Sequence, residues 1–251
     1  LLLPKGFNSE GFQRVIENDS LWRGYLNTIF YTVLGTCINL TLTMTGAFVL
    51  SRRTFALRTP LNWMVLFTMF FGGGMIPTYL LVKDLKLLNT VWSLVLPGAI
   101  STWNLIITRT FLATSIPNEL QEAAYIDGCN NIRFFLRIVL PNATTIIAVI
   151  GLFYAVDHWL SYWNAMLYIT DETRYPLQLV LRDILLKAEV ALQSAQSGEN
   201  MESATAVVDL LRISESVKYI VVMAGTLPLL IVFPFVEKYF VKGVMIGSVK
   251  G

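Results

Sequence analysis

The sequence predicts an all-α integral membrane protein, and two observations predict it. Of its 251 residues 55% are hydrophobic and only 14% are charged, whereas a soluble domain carries roughly 25% charged residues. The uncharged residues are also gathered into five runs, each near the about 20 residues that cross about 30 Å of hydrocarbon. So much apolar material excludes disorder. A net charge of +2 without a clustered basic face gives no sign of a nucleic-acid binder. Cys37 and Cys129 make no disulfide framework. The single histidine, His158, excludes a multi-histidine metal site.

Leu1-Leu2-Leu3-Pro4 is too short for a signal peptide and has no basic segment before it; it reads as the tail of an earlier span that has been cut off. Residues 1–24 form an extracytoplasmic amphipathic segment, with Phe12, Val15 and Ile16 on one helical face. The uncharged runs are Tyr25 to Leu50, Pro60 to Val82, Leu87 to Thr108, Ile138 to Thr170 interrupted by Asp157 and His158, and Tyr219 to Val236. In the second run Gly72-Gly73-Gly74 with Pro77 marks a broken or closely packed helix, and close packing is the preferred reading. Residues 171–215 form the only large polar piece, an extracytoplasmic loop. Pro176 suits a helix start there. Leu177, Val180, Leu181, Ile184, Leu185 and Ala188 follow at helical spacing, and Gln193 to Ser203 reads as a loop. Arg52, Arg53 and Arg58 place the segment after the first run in the cytoplasm. The remaining basic residues divide almost evenly between the two sides, so their count alone does not orient the chain.

Residues 115–140 carry the densest pattern. Pro117 suits a first helical turn, Glu119 complements the positive end of the helix dipole, and Gly128 suits a left-handed stop. Asn130 or Asn131 can cap a second short helix through Leu136, and Pro141 opens the next span. The result is a two-helix elbow hinged at Gly128.

The pattern Glu122-Ala123-Ala124, three residues, Gly128, nine residues, Ile138, one residue, Leu140-Pro141 resembles the EAA loop of ABC importer membrane subunits. Phe70 to Pro77, Tyr175 to Leu179 and the ending Lys238 to Gly251 are similar to the oligosaccharide and polysaccharide branch of that family, which includes the maltose-importer type and permeases for lipo-oligosaccharide and alginate. The resemblance implies one type I ABC importer transmembrane domain over residues 1–251. Six spans are usual in the family, where five are visible here.

The resemblance also implies a heterodimer with a second homologous permease subunit, two ABC ATPase subunits that hold ATP and Mg, and an extracytoplasmic solute-binding protein that delivers a carbohydrate. The chain itself lacks a Gly-x-x-x-x-Gly-Lys-Ser/Thr loop, so it is expected to bind no cofactor and to be no enzyme. The expected location is the bacterial inner membrane. Glu122, Ala123, Ala124, Asp127 and Gly128 are then the ATPase-coupling residues, with the two alanines permitting close approach to the partner. The tail, residues 240–251, would reach into the ATPase pair through Gly243, Gly247 and Gly251.

Asp157, His158, Trp159, Tyr162, Trp163 and Asn164 are candidates for the substrate path, with Trp103 and Asn104 a second set. Aromatic rings stack on sugars and Asp, Asn and His bond hydroxyls; the same residues also build an interfacial aromatic belt. Counting from Pro141 at about 1.5 Å per residue puts Asp157 about 24 Å along the helix. The rival readings are a membrane-embedded enzyme and a passive channel subunit. The first wants a Ser/His pair, paired aspartates or a metal site, and the second has no need of the elbow.

Overall fold

In the computed structural model, residues 18–196, 219, 220, 222–231, 233 and 234 are described. Among these residues there is no strand. Helix α1, Asp19–Ser51, is capped by Asn18, whose Oδ1 accepts from the Ser20 N–H at 3.0 Å. It alone among the described helices is long and apolar enough to cross a membrane unbroken; two bent pairs bring the number of spans to three if each pair counts as one. The first pair is α2, Arg58–Phe70, and α3, Met75–Asp84, at 114°. Two short helices follow, α4, Val91–Val95, and α5, Thr102–Ser115. The elbow begins with α6, Asn118–Ile126. The second pair is α7, Asn131–Asn142, and α8, Thr144–Trp159, at 82°. After these come α9, Tyr162–Tyr168, α10, Leu177–Gln196, and α11, Val222–Ile231.

Among the described residues the second, third and fourth uncharged runs are each interrupted, because an apolar run specifies its solvent and not its continuity. At Gly72-Gly73-Gly74 the backbone leaves the helix, and Gly74 takes φ +85°, a conformation that L side chains rarely adopt. A side chain at Gly72 or Gly74 would meet nothing within 4 Å, which corrects the close-packing reading: these glycines break the helix. The third run is interrupted between α4 and α5. Pro141 lies inside α7 and does not open α8. It has no N–H for the Arg137 carbonyl, the preceding Phe135–Val139 stretch widens into a π turn, and Asn142 Nδ2 donates to Ile138 O at 2.7 Å. Asp157 consequently lies about 20 Å along α8 from Thr144, beyond a bend, and the straight count from Pro141 does not hold.

The described residues form two compact units, 18–30 with those from 159 to 231, and 31–158 with 233 and 234. In the first, Leu21, Trp159, Leu177 and Leu181 form the core, with Ile184 and Leu185 packed against it. Thr28 Oγ1 accepts the Leu177 N–H at 2.7 Å, so the first N–H of α10 has a partner. Pro176 precedes that helix and carries no N–H of its own. Trp159 Nε1 donates to Gly225 O at 3.0 Å, and Tyr25 OH to Ala224 O at 2.5 Å. Helix α10 runs four residues into the stretch expected as loop from Gln193. At the polar turn before it, the Thr173 hydroxyl and backbone N–H hold the Asp171 carboxyl below its ordinary pKa.

In the second unit the core includes Met44, Phe48, Leu112, Phe134, Ile150 and Tyr154. Between α4 and α5 the chain is unwound from Leu96 to Ser101. Irregular backbone at membrane depth is tolerated only where protein or a water-filled cavity surrounds it. Here two buried side-chain rungs join α1 to α8 and hold it. Tyr154 OH bonds Thr43 Oγ1 at 2.7 Å and accepts the Ser101 N–H at 3.0 Å. Asn39 Nδ2 donates to Gly98 O at 3.0 Å, so its Oδ1 faces His158 Nε2 at 3.2 Å and the ring must donate through that nitrogen. Gly35 makes the second rung possible, since a Cβ there would stand 2.3 Å from His158 Nε2.

Tyr154→Phe removes the shared hydroxyl and leaves the Ser101 N–H and the Thr43 hydroxyl buried without it. We expect a loss of about 1–3 kcal/mol, read as a lower melting midpoint of the purified protein, together with faster hydrogen exchange at the Ser101 amide. Unchanged exchange at Ser101 would show that the hydroxyl does not hold the unwound segment.

Candidate functional site

The elbow is built from its ends inward. Pro117 stands just before α6 with φ −59°, and Glu119 lies in its first turn, where a carboxylate complements the helix dipole. The helix stops by local chemistry. The Gly128 N–H bonds Tyr125 O at 3.0 Å and the Cys129 N–H bonds Ala124 O at 2.9 Å, the paired hydrogen bonds of a Schellman stop. Gly128 has φ +75°, the left-handed conformation expected of it. Asn130 Oδ1 then accepts the Arg133 N–H at 2.8 Å and starts α7.

Helix α6 has two faces. Gln121 and Ala124 are buried against the body of the same unit. Glu119, Leu120, Glu122, Ala123, Ile126 and Asp127 are exposed, Ile126 at 87%. The expectation that both alanines approach a partner is corrected here: Ala124 belongs to the chain's own core, and only Ala123 points outward. The sequence reading missed Gln121. Arg52 Nη1 donates to its Oε1 at 3.3 Å, and its Nε2 donates to Tyr125 OH at 2.8 Å. Tyr125 OH in turn donates to Asn131 Oδ1. This relay seats α6 and α7 on the end of α1. Its signal in the sequence was Gln121 and Tyr125 at i, i+4, neighbours on one side of the helix.

The candidates for sugar contact separate by burial. His158 and Asn104 are buried in the second unit and Trp159 in the first, and His158 and Trp159 hold hydrogen bonds of the fold. Asp157 is exposed on α8 and Trp103 is 57% exposed on α5. Trp163 is 54% exposed on α9, with Asn164 also exposed and Tyr162 half-buried under the Arg182 guanidinium, 5.6 Å from the ring centroid. Asn39 and Thr43 were not among the expected residues, and Tyr154, one of the aromatic residues around Asp157, is buried and bonded to Thr43. Asn39 and Thr43 continue a stripe with Thr28, Thr32 and Thr36 at spacings of three and four along α1, a pattern of polar residues on one face of an otherwise uncharged span. Gly243, Gly247 and Gly251 of the expected tail, and Phe12, Val15 and Ile16, lie outside the described residues.

Residues 20–169 match the model of the binding-protein-dependent transport system inner membrane component family. The chain belongs to that family. It is 40% identical, over its full length and 85% of the relative, to the polygalacturonan/rhamnogalacturonan transport system permease protein YtcP of Bacillus subtilis (strain 168). It is 42% identical to Protein LplC of the same organism, again over its full length and 81% of the relative. A solved bacterial ABC transporter involved in the import of the acidic polysaccharide alginate is similar in structure, with a TM-score of 0.81 and 31% identity over 95% of this chain and 82% of that one. The protein is thus a permease subunit of an ABC importer in the inner membrane, a non-catalytic component that works with separate ATPase subunits.

A side chain at Gly128 would meet nothing within 4 Å, so substitution there tests backbone conformation alone. Gly128→Val is expected to destabilise the elbow by ~1–2 kcal/mol and Gly128→Asn by less, because Asn visits the left-handed region more readily. Limited proteolysis between Ile126 and Asn131 reads the order. Equal protection of the two variants would contradict the strain argument.

Proposed function

We propose that this permease subunit takes up an oligosaccharide or polysaccharide delivered by an extracytoplasmic solute-binding protein, and that the elbow of residues 115–140 couples it to a cytoplasmic ATPase pair. The saccharide class follows from the names of the similar proteins, a polygalacturonan/rhamnogalacturonan permease and an alginate importer. The observation that carries the coupling role is the outward face of α6. Leu120, Ala123 and Ile126 offer an apolar strip bordered by the carboxylates of Glu119, Glu122 and Asp127. Such a strip with an acidic border fits an apolar groove edged by basic residues. ATP and Mg would reside on the ATPase subunits, whose closure would draw together this elbow and that of a second, homologous permease subunit. A passive channel has no use for such a face.

Of the sugar-contact candidates, Asp157, Trp103, Trp163 and Asn164 are exposed and so are each available to a passing saccharide. His158, Trp159 and Asn104 are assigned to packing. An aromatic contact to a sugar is worth on the order of 1 kcal/mol, taking aromatic pairs as the guide.

The test is the assembled complex in vesicles with its binding protein, assayed with acidic and neutral oligosaccharides. Glu122→Lys is expected to abolish stimulated ATPase activity and uptake while the subunit still inserts. Trp163→Ala and Asp157→Ala are expected to slow uptake several-fold per complex and leave basal ATPase activity intact. Full uptake by Glu122→Lys would sink the coupling assignment, and unchanged uptake per complex in both other variants would sink the sugar-contact assignment.

A further inference from the structure

The end of α1 nearest the elbow holds a buried cation that the transport reading does not use. Arg52 is 5% exposed. Its Nε donates to Ser51 Oγ at 3.0 Å, Nη1 to Gln121 Oε1 at 3.3 Å and Nη2 to Leu112 O at 3.3 Å. The guanidinium carbon lies 5.4 Å from the Phe48 ring centroid. Every one of these partners is neutral. A guanidinium has five N–H groups and keeps its charge at any physiological pH. Two N–H groups are therefore left over, and the charge meets neutral dipoles and one ring face but no anion; a buried charge is costly unless paired.

No described carboxylate supplies that pair. The ion pairs among the described residues are Arg174–Asp171 and Lys187–Asp183. Further positive charge stands nearby: Arg109 Nε donates to Leu50 O at 3.4 Å, and Arg58 is close enough to Arg109 for their like charges to interact. Arg52 also lines a cavity of about 360 Å³ whose wall includes Phe48, Thr54, Phe55, Gln121, Tyr125 and Asn131, with no Asp or Glu among the described residues. The cavity thus combines a buried fork of N–H donors, neutral polar groups and three aromatic rings.

We infer that this cavity binds a phosphate-bearing anion through Arg52, and that the anion is the headgroup of an anionic phospholipid. The guanidinium fork matches two oxygens of one phosphate. The site lies where α1 ends at Ser51 and the apolar span gives way to a loop that starts with Arg52 and Arg53 and runs to Arg58 at the start of α2, which is the depth of lipid phosphates. Because Arg52 also bonds Gln121, and Gln121 bonds Tyr125, the bound headgroup would be joined to the seat of the elbow. Only the significance of that seat rests on the coupling role proposed above; lipid binding is measured without it.

The experiment is native mass spectrometry of the complete purified transporter, titrated separately with phosphatidylglycerol, phosphatidylcholine and inorganic phosphate. Retention of phosphatidylglycerol in preference to phosphatidylcholine, without competition from inorganic phosphate, is expected. Arg52→Gln should weaken it about tenfold or more, while Arg53→Gln, which alters an exposed residue that does not line the cavity, should leave it unchanged. Thr54→Glu keeps Arg52 and places a carboxylate in the exposed part of the cavity wall; it should reproduce the loss with normal yield, which separates loss of the site from misfolding. Competition by inorganic phosphate at equal concentration would overturn the lipid assignment. Phosphatidylglycerol binding at the unsubstituted level in both Arg52→Gln and Thr54→Glu would overturn the site.

Discussion

Wherever a helix stops inside an apolar solvent, the backbone groups it releases need partners, and lipid offers none. The architecture follows from meeting that need locally. Helix α1 meets it by continuity over 33 residues. The unwound Leu96–Ser101 segment meets it by borrowing side chains: Asn39 takes up the Gly98 carbonyl and Tyr154 the Ser101 N–H. Each borrowed side chain is itself bonded, to His158 and to Thr43. The two rungs have the same construction, with partners four residues apart on α1 and four apart on α8. That spacing is the helix repeat, so two facing helices can present two rungs without distortion. Gly35 shows how closely the arrangement is fitted, since even a methyl group would collide with the histidine ring.

The elbow meets the same need by local bonds, most of them main-chain. Its α6 closes by two main-chain hydrogen bonds around Gly128 and its α7 opens on an asparagine cap. It consequently needs few side chains to hold its shape, and those of α6 are divided between seating it and presenting a face. Gln121 and Ala124 seat it. The ion pairs of the polar segment after Ile169 differ in kind: Arg174–Asp171 and Lys187–Asp183 are solvent-accessible on both partners, and such pairs contribute little to stability.

These differences set what could be read in the sequence. The all-α membrane class was legible because composition and run length are additive properties. The elbow was legible because glycine at a left-handed stop and asparagine at a cap are local rules that need no tertiary context. Interruptions were harder. Gly72-Gly73-Gly74 and Pro141 were visible, but whether a glycine breaks a helix or admits a neighbour depends on what lies beside it, and beside Gly72 and Gly74 nothing does. Ala123 and Ala124 are chemically identical, and only the docking of α6 makes one outward and the other core. The polar stripe of α1 is present in the letters but does not mark itself, because uncharged threonines and an asparagine leave an apolar run unbroken. Its members are threonines and an asparagine, residues that matter inside a membrane protein when an irregular segment passes alongside.

The separation of the aromatic and ionisable candidates follows the same logic. Asp157 and His158 are sequence neighbours, but successive positions on a helix differ by about 100°, so a buried partner for one turns the other outward. His158 faces Asn39, and Asp157 is exposed. Along the chain, the elbow reaches α8 through α7, and these two helices meet at 82° beside a π turn and Pro141. A displacement of the elbow therefore arrives at α8 as a change at a bend. Helices are stiff along their length and yield at breaks, where hydrogen bonds already depart from the regular ladder. Arg52 and Gln121 tie the elbow to the end of α1, while Thr43–Tyr154 and Asn39–His158 tie α8 to the same helix further along. Both sides of the bend are thus referred to α1, the one unbroken span among the described residues, and a motion between them is a motion relative to that helix.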